Sequence, residues 1–142
     1  MLRPALQAFQ TEGNKVRVII CGSRYWKDEQ AIHDCIDELP KGSVVIEGRA
    51  TGADSIAEAY AFSKGILVIA IAARWDWYGR AAGPIRNLEL IDWGRPDKVI
   101  AFHDDIGNSR GTKDMVKQAK KQKIEVELRY HDNEGRIARK TL

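Results

Sequence analysis

The chain has 142 residues, of which 44% are hydrophobic and 30% are charged, and its formal net charge is +3. This length and balance predict a globular chain with one hydrophobic core and exclude a second core. The charge is too small to indicate nucleic-acid binding by itself, although it suits an anionic ligand. No segment approaches the roughly 20 apolar residues of a membrane span. Residues 1–15 lack a signal-peptide layout, so we expect a cytoplasmic protein without a membrane partner.

The cysteines and histidines do not predict a metal site or a resident cofactor. Cys21 and Cys35 both fall on apolar patterns, so we expect buried free thiols in a reducing compartment. His33, His103 and His131 are far apart in the sequence and have no cysteine at zinc-site spacing.

Strand and helix patterns alternate along most of the chain. Residues 1–14 are a lead-in that holds at most one short helix. Apolar, β-branched runs predict five strands, at 16–21, 43–47, 66–72, 98–102 and 124–128. Segments with helical periodicity or high alanine content predict four main helices, at 27–39, 53–64, 84–93 and 112–121.

This alternation predicts an α/β fold with a Rossmann-like, three-layer α/β/α domain over residues 15–128. The continuous apolar run at 66–72 indicates a strand buried on both faces of a mostly parallel, five-stranded sheet. The run at 124–128 alternates, which is typical of an edge strand. Residues 129–142 are charged and weakly patterned, so we predict a tail that is either loose or docked on a partner.

Four glycine-marked loops carry polar groups where strands end or helices begin, at 22–24, 48–54, 79–87 and 109–112. Such loops point backbone N–H groups and helix N-termini at one crevice, which is how α/β folds hold anionic ligands. The sequence therefore predicts a nucleotide-like ligand.

In the first loop, Gly22 permits a sharp turn, Ser23 offers a hydroxyl and an N–H group, and Arg24 can bind an oxyanion. The alternative is a plain strand-to-helix turn with a surface arginine. In the second loop, small residues that include Gly48 and Gly52 leave the backbone open to close approach by a ligand.

Two polar residues of the second loop have alternative roles. Thr51 and Asp54 can cap the helix that follows. Asp54 can instead accept a hydrogen bond from a ribose hydroxyl, as acidic residues near dinucleotide sites do. The sequence leaves both roles open.

The third region places aromatic residues beside charges in a predicted loop at 74–80. Trp75 and Tyr78 can stack on a nucleobase, and Arg80 lies next to them. The alternative is that Trp75 and Trp77 pin the loop to the domain or lie in a subunit contact.

Polar groups also mark two helix starts. Arg86 follows Gly83 and precedes Asn87 at the start of one helix, and we interpret this arginine as an anion ligand. In the fourth loop, the N–H and hydroxyl groups of three residues lie at the start of the next helix. These residues are Ser109, Gly111 and Thr112. The preceding Asp104 and Asp105 can pair with an arginine, bind a hydroxyl or cap the loop.

The four motifs, in this order, resemble those of the SLOG superfamily, the Rossmann-like group that includes the LOG (lonely guy) phosphoribohydrolases. They look most like its small YspA/YpsA-related branch. The motifs are Gly-Ser-Arg, Glu-Gly-x-Ala-x-Gly-Ala-Asp, Trp…Gly-Arg-x-Ala-Gly-Pro-x-Arg-Asn and Ser-x-Gly-Thr. The resemblance covers residues 16–128. It implies strand order 3-2-1-4-5, a nucleotide or nucleotide-derived ligand, and a homo-oligomer that is a dimer or larger.

The catalytic pattern of the LOG enzymes is incomplete in this chain. Arg86 matches their arginine, but Met115 stands at the position of their catalytic glutamate. A methionine transfers no proton, so the catalytic residues are unknown, with Arg86, Glu47 and Asp54 as candidates. Asp104 is a further carboxylate that could replace the glutamate.

Three functions are consistent with these residues. The first is a module that binds a nucleotide or nucleotide-derived signal, as a sensor or sequestering protein. The alternative is a nucleoside-phosphate N-glycosidase or phosphoribohydrolase of LOG type. The weakest is single-stranded nucleic-acid binding, because the modest net charge does not favour it. Its basic face would include Lys117, Lys120, Lys121 and Lys123.

Overall fold

A six-stranded sheet forms the centre of the computed structural model, which describes residues 15–142. The predicted lead-in at 1–14 lies outside the described residues. The strands are β1 Arg17–Gly22, β2 Val44–Glu47, β3 Leu67–Ala70, β4 Lys98–Phe102, β5 Glu125–His131 and β6 Ile137–Thr141. Their order is β3-β2-β1-β4-β5-β6, and every neighbouring pair is parallel except β5 and β6.

Five helices accompany this sheet within the described residues. They are α1 Glu29–Asp37, α2 Ala53–Ser63, α3 Trp75–Tyr78, α4 Ala82–Gly94 and α5 Gly111–Lys121. Short 3₁₀ turns cover Gly79–Ala81 and Ile106–Asn108. Within residues 15–142, no helix combines the length and the apolar character that crossing a bilayer requires.

Alternating side chains of the central strands pack into a layer of the hydrophobic core on each face of the sheet. Ile20 and Val45 pack with α1 and α2 on one face, whereas Ile19 and Ile46 pack with α4 and α5 on the other. Each fully buried aliphatic side chain contributes roughly 1.5–3 kcal/mol relative to an exposed one. The α/β class, the three layers and the order of the first five strands are therefore confirmed.

The C-terminal segment differs from the prediction of a charged tail. β5 continues to His131, and β6 pairs with it in an antiparallel hairpin. Asp132 Oδ1 accepts hydrogen bonds from the N–H groups of Glu134 and Arg136, which closes the turn. Charged residues on an outer strand hide its periodicity in the sequence. Consequently β5 is an interior strand, and β6 forms the edge.

The third strand is also placed differently from its prediction. Its apolar run indicated burial on both faces, but β3 is the other edge of the sheet, and Leu67 is 64% exposed. The run correctly favours an extended strand, because β-branched residues do so. The position of β3 in the sheet depends on the chain topology, and the local sequence pattern carries no information about that.

The aromatic segment is helical rather than a loop. α3 and the following 3₁₀ turn occupy 75–81, and α4 begins at Ala82, two residues before Pro84. Proline fits this first turn because the N–H groups there have no acceptor within the helix.

The second loop packs directly on the first at Gly52. The N–H of Ala53 donates to the carbonyl of Ser23 at 3.1 Å. Gly52 has a φ of +77°, and a Cβ atom there would overlap the backbone of Ser23 and Arg24. This contact joins the loops that follow β1 and β2.

We expect Gly52→Ala to destabilise the protein by at least about 2 kcal/mol, because strain at positive φ and a backbone clash add together. Gly65→Ala is the matched control, since Gly65 also has positive φ (+72°) but a Cβ there meets nothing within 4 Å. It should cost only about 1 kcal/mol. Urea denaturation measures both, and equal losses would contradict the packing argument.

Candidate ligand-binding crevice

The crevice lies where β1 and β4 are adjacent and their connections leave in opposite directions. This switch point is where open α/β sheets bind ligands. A cavity of about 910 Å³ lies at the carboxyl ends of these strands. Small-molecule sites range from roughly 300 to 1,000 Å³, so the cavity has room for a mononucleotide.

Many of the predicted ligand residues line this one cavity. Ser23, Arg86 and Thr112 come from three distant segments, and the structure brings them to the same wall. The predicted residues in the wall are Gly22, Ser23, Arg24, Asp54, Arg86, Asn87, Ser109, Gly111 and Thr112.

The side chain of Arg86 is buried and oriented by neutral groups. Its Nη1 donates to the carbonyl of Gly48, and its Nε donates to Asn87 Oδ1 at 3.1 Å. Its Nη2 has no hydrogen-bond partner among residues 15–142, and it is not one of their fully enclosed atoms. Arg86 itself lines the cavity, and Nη2 is its one guanidinium nitrogen without a hydrogen-bond partner in that range.

Asn87 connects Arg86 to the start of α5. Its Nδ2 donates to the carbonyl of Gly111 at 3.1 Å and to Asp114 Oδ2 at 2.9 Å. One amide side chain therefore fixes both the guanidinium and the position of the neighbouring helix N-terminus.

The start of α5 offers free backbone donors. Ser109 Oγ accepts the N–H of Thr112 at 3.1 Å. Within the described chain, the N–H groups of Gly111 and Lys113 have no acceptor. Unpaired N–H groups and the helix dipole both favour an anion at this point.

The first loop contributes a hydroxyl but not the N–H group that the sequence suggested. The N–H of Ser23 already donates to the carbonyl of Phe102 at 2.9 Å. Ser23 Oγ accepts from the N–H of Tyr25 at 3.0 Å, which leaves its hydroxyl proton as a donor.

Asp54 holds the second loop rather than capping α2. Its Oδ2 accepts from the N–H groups of Gly48 and Ala50 at 3.1 and 3.3 Å, and Gly52 is the N-cap of the helix. Its Oδ1 has no partner among the described residues and is not fully enclosed. Burial raises the pKa of Asp54 to about 6, although those hydrogen bonds and Arg86 oppose the shift.

Other predicted residues lie outside the cavity wall. Gly48, Thr51 and Gly52 are absent from it. Gly48 supports it from behind, because a Cβ there would lie 2.8 Å from Arg86 Cζ. The contribution of these glycines is close packing rather than direct ligand approach.

The aromatic segment and the first part of the third glycine-marked loop, residues 74–83, are not brought to the crevice. Trp75, Tyr78, Arg80 and Gly83 do not line the cavity. The ring of Trp75 packs at the position where a Gly83 Cβ would stand, 3.4 Å away, so this tryptophan pins α3 to α4. The structure therefore supports the pinning alternative for Trp75.

Sequence reasoning missed the opposite end of the cavity. The ring of His131 stacks on Trp26, with centroids 4.7 Å apart and an interplanar angle of 16°. Its Nδ1 lies 2.9 Å from Asp104 Oδ2, and its Nε2 lies 2.7 Å from Asp28 Oδ2. All four residues line the cavity. No sequence signal joined them, because 103 residues separate Asp28 from His131.

The ionisation of this cluster follows from its contacts. Hydrogen bonds to Asp104 and Asp28 raise the pKa of His131. Burial acts to raise the pKa of Asp104, but hydrogen bonds from His131 outweigh it and the pKa is lowered. Both shifts favour a charged pair.

The remaining carboxylates do not restore the LOG-type arrangement. Glu47 is fully buried behind the wall, and burial together with a hydrogen bond to Glu58 raises its pKa to about 9. Asp114 accepts from Asn87 and Gln118, and Met115 lines the cavity. Over residues 15–142, no group of three His, Cys, Asp or Glu side chains is arranged to hold a metal ion.

The fold and the crevice define a Rossmann-like α/β protein, and comparisons with known proteins agree. The family model of YAcAr, the YspA, cpYpsA-related SLOG family, matches residues 16–78. Gene 61 protein of Mycobacterium phage D29 is 40% identical over 119 residues, which cover 78% of this chain and 93% of that protein. The chain belongs to the YspA, cpYpsA-related SLOG family.

A solved structure shares the fold. The X-ray structure of DNA processing protein A (DprA) from Streptococcus pneumoniae superposes with a TM-score of 0.62 at 19% sequence identity. The match covers 82% of this chain and 50% of that chain, so the protein spans about half the length of DprA. At this identity the likeness shows the fold alone.

The His131 cluster makes stability depend on pH. A histidine whose pKa is higher in the folded state than in the unfolded state stabilises the fold when it is protonated. This contribution is complete below the ordinary histidine pKa of 6.5 and is lost as pH rises through the pKa of the folded state. The advantage of the wild type over His131→Gln, about 1 kcal/mol or less, should therefore shrink as pH increases above 6.5. Thermal denaturation at a series of values from about pH 5 to about pH 9 measures this difference. A constant difference would show that charge is not involved.

Proposed function

We propose that the protein binds a nucleotide or a nucleotide-derived signalling molecule in this crevice. The observation that carries the proposal is the buried Arg86, which lines the same cavity as the N-terminus of α5 and whose Nη2 has no hydrogen-bond partner among residues 15–142. A phosphate group complements both. Family membership supports a nucleotide-related module.

The phosphate would lie between α4 and α5. The hydrogen-bond donors would be Arg86 Nη2, the free N–H of Gly111 and the hydroxyl of Ser23, all from residues in the cavity wall. The free N–H of Lys113 belongs to the same helix start. Arg24 adds a further positive charge at the cavity wall. Hydrogen bonds to a charged acceptor are stronger than neutral ones, and the arginine is already oriented, so little side-chain entropy is lost.

The sugar and base would extend towards the opposite end. Asp54 Oδ1 is the acceptor for a ribose hydroxyl. The rings of Tyr25 and His131 are on the cavity wall, and Tyr25 is 85% exposed, so they replace Trp75 and Tyr78 as stacking surfaces. Stacking a base on an aromatic ring contributes roughly 1–3 kcal/mol.

A sensor or sequestering role agrees with the residues that this chain has where the LOG enzymes carry their catalytic glutamate. Met115 stands where the resembling LOG enzymes carry a glutamate, and the neighbouring Asp114 is held by Asn87 and Gln118. Cys21 and Cys35 are buried free thiols, which supports a reducing, cytoplasmic location.

We expect Arg86→Ala to weaken nucleotide binding by about 1.5–3 kcal/mol, or roughly 10- to 150-fold, because it removes the principal phosphate donor. Isothermal titration calorimetry with a panel of linear and cyclic nucleotides and a short single-stranded oligonucleotide measures this loss. Arg80→Ala is the control, since Arg80 lies outside the cavity wall and should not change affinity.

Two results would contradict the proposal. One is the absence of binding for every member of the panel. The other is equal affinity in the wild type and Arg86→Ala. Strong binding of the oligonucleotide alone would favour nucleic acid as the ligand instead.

A second candidate function is the nucleoside-phosphate N-glycosidase activity of the LOG enzymes. The observation in its favour is Asp54, whose open Oδ1 and pKa of about 6 suit proton transfer near neutral pH. In this mechanism Arg86 would bind the phosphate, and the carboxylate would stabilise the oxocarbenium-like transition state.

This candidate predicts that nucleoside monophosphates release free base, and that Asp54→Asn lowers kcat by about 100-fold or more. Glu47→Gln is the control, because Glu47 does not line the cavity. Chromatography detects the released base. No release by the wild type would eliminate the activity, and undiminished release by Asp54→Asn would eliminate this residue.

A further inference from the structure

A side chain from a third segment joins two connections at the crevice. The β1–α1 connection covers residues 23–28, and the β4–α5 connection covers residues 103–110. His131 is the last residue of β5, and its ring is bonded to Asp28 of the first connection and to Asp104 of the second. All three residues line the cavity, and we call them the His131 bridge.

The imidazole of His131 uses both of its nitrogens in this bridge. Nδ1 lies 2.9 Å from Asp104 Oδ2, and Nε2 lies 2.7 Å from Asp28 Oδ2. The N–H of His131 also donates to Asp104 Oδ1 at 2.7 Å, and Trp26 stacks on the ring. A histidine donates from both nitrogens only when it is protonated. The complete bridge therefore requires the imidazolium form.

Both ends of the bridge lead to groups that we assign to the phosphate. The N–H of Trp26, which stacks on the bridging ring, donates to the carbonyl of Ser23 at 3.2 Å. In the second connection, the 3₁₀ turn Ile106–Asn108 separates Asp104 from the start of α5 at Gly111. The separation of the two connections therefore affects how the hydroxyl of Ser23 lies relative to the N–H of Gly111.

We propose that His131 is a positioning residue, whose imidazolium holds the two connections at the separation at which their donors bind one phosphate. This inference rests on the proposed function, since it concerns the same site. Loss of the proton leaves one N–H on the ring, so that one of the two ring contacts to a carboxylate is lost. The binding-competent separation is then less populated, and the apparent affinity decreases by the same factor.

Other charged and titratable groups surround the bridge. His103 acts on Asp104, but burial lowers the pKa of this histidine, so it is mostly neutral above pH 6.5. Arg129, on the same strand as His131, pairs with Glu127 at 2.6 Å. On β6, the residue opposite His131 is the uncharged Ile137. Charged neighbours in the sequence are Lys27, Asp105 and Asp132.

NMR spectroscopy of the full chain, with sulfate as the probe, tests the proposal. Sulfate keeps the same charge throughout and has no base to stack on His131, so it reports on the phosphate donors alone. Before sulfate is added, the amide signals of residues 23–28 and 103–111 should titrate together with the ring signals of His131. At constant ionic strength, sulfate affinity should decrease about two- to fivefold from about pH 6 to about pH 9.

His131→Gln should lose the part of this decrease that belongs to the bridge, because glutamine does not titrate. Burial raises the pKa of Asp54 to about 6, so Asp54 also ionises in this range, but it does so in both proteins and cancels in the comparison. His33→Gln is the matched control, since His33 stacks on Tyr60 outside the cavity wall. It should keep the wild-type profile.

Asp104→Asn separates positioning from simple attraction between charges. Removing a negative charge from the cavity wall would by itself strengthen sulfate binding. A weakened bridge should instead decrease the affinity by about twofold or more, because the asparagine oxygen cannot replace both carboxylate oxygens. The amide spectrum also verifies that each variant is folded.

Two results would overturn the proposal while leaving the proposed function intact. One is bound sulfate with the same pH profile in the wild type and His131→Gln. The other is tighter sulfate binding by Asp104→Asn. The proposed function fails differently, because sulfate would then bind at no pH, or Arg86→Ala would bind it as tightly as the wild type. In that case the proposal falls with the function on which it rests.

Discussion

The crevice at the carboxyl ends of β1 and β4 depends on how the chain buries the guanidinium of Arg86. Gly48 presents its carbonyl to this group, and Asn87 presents its amide oxygen. Both are neutral, and Arg86 forms no salt bridge with any residue in the described range. Asp54 is close enough for Arg86 to oppose the rise of its pKa, but the two form no salt bridge, so the buried guanidinium still favours a compensating anion. The unoccupied Nη2 is where that anion would bind.

The same constraint explains why Gly48 and Gly52 support the site without lining the cavity. Gly48 allows the guanidinium to lie against the backbone, and Gly52 allows the second loop to pack on Ser23. Asp54 then fastens the second loop through two backbone N–H groups. The loops after β1 and β2 and the start of α4 thus form one packed unit that supports the proposed phosphate donors.

Much of this arrangement could be predicted from the sequence, because it follows from local patterns of apolar and glycine residues. Apolar runs and glycine-marked turns identify the strands and their carboxyl ends, and parallel strands bring these ends to one edge. That reasoning placed Ser23, Arg86 and Thr112 together. It could not determine that the N–H of Ser23 is already bonded to Phe102, since that depends on the register of β1 and β4.

The features that the sequence did not predict depend on contacts between distant segments. The run at 66–72 contains no information about which strand becomes an edge, so the exposure of Leu67 was not foreseen. The aromatic residues of α3 are equally suited to a base or to an interface, and only their position outside the cavity distinguishes the two. His131 joins Asp28 and Asp104 because β5 is longer than its apolar core.

A crystal structure of the protein grown with a nucleoside monophosphate would test the central claim most directly. The account predicts the phosphate at about 3 Å from Arg86 Nη2 and from the N–H of Gly111, with Arg86 still bonded to Gly48. A phosphate bound outside the crevice, or an Arg86 side chain turned away to pair with a carboxylate, would contradict it.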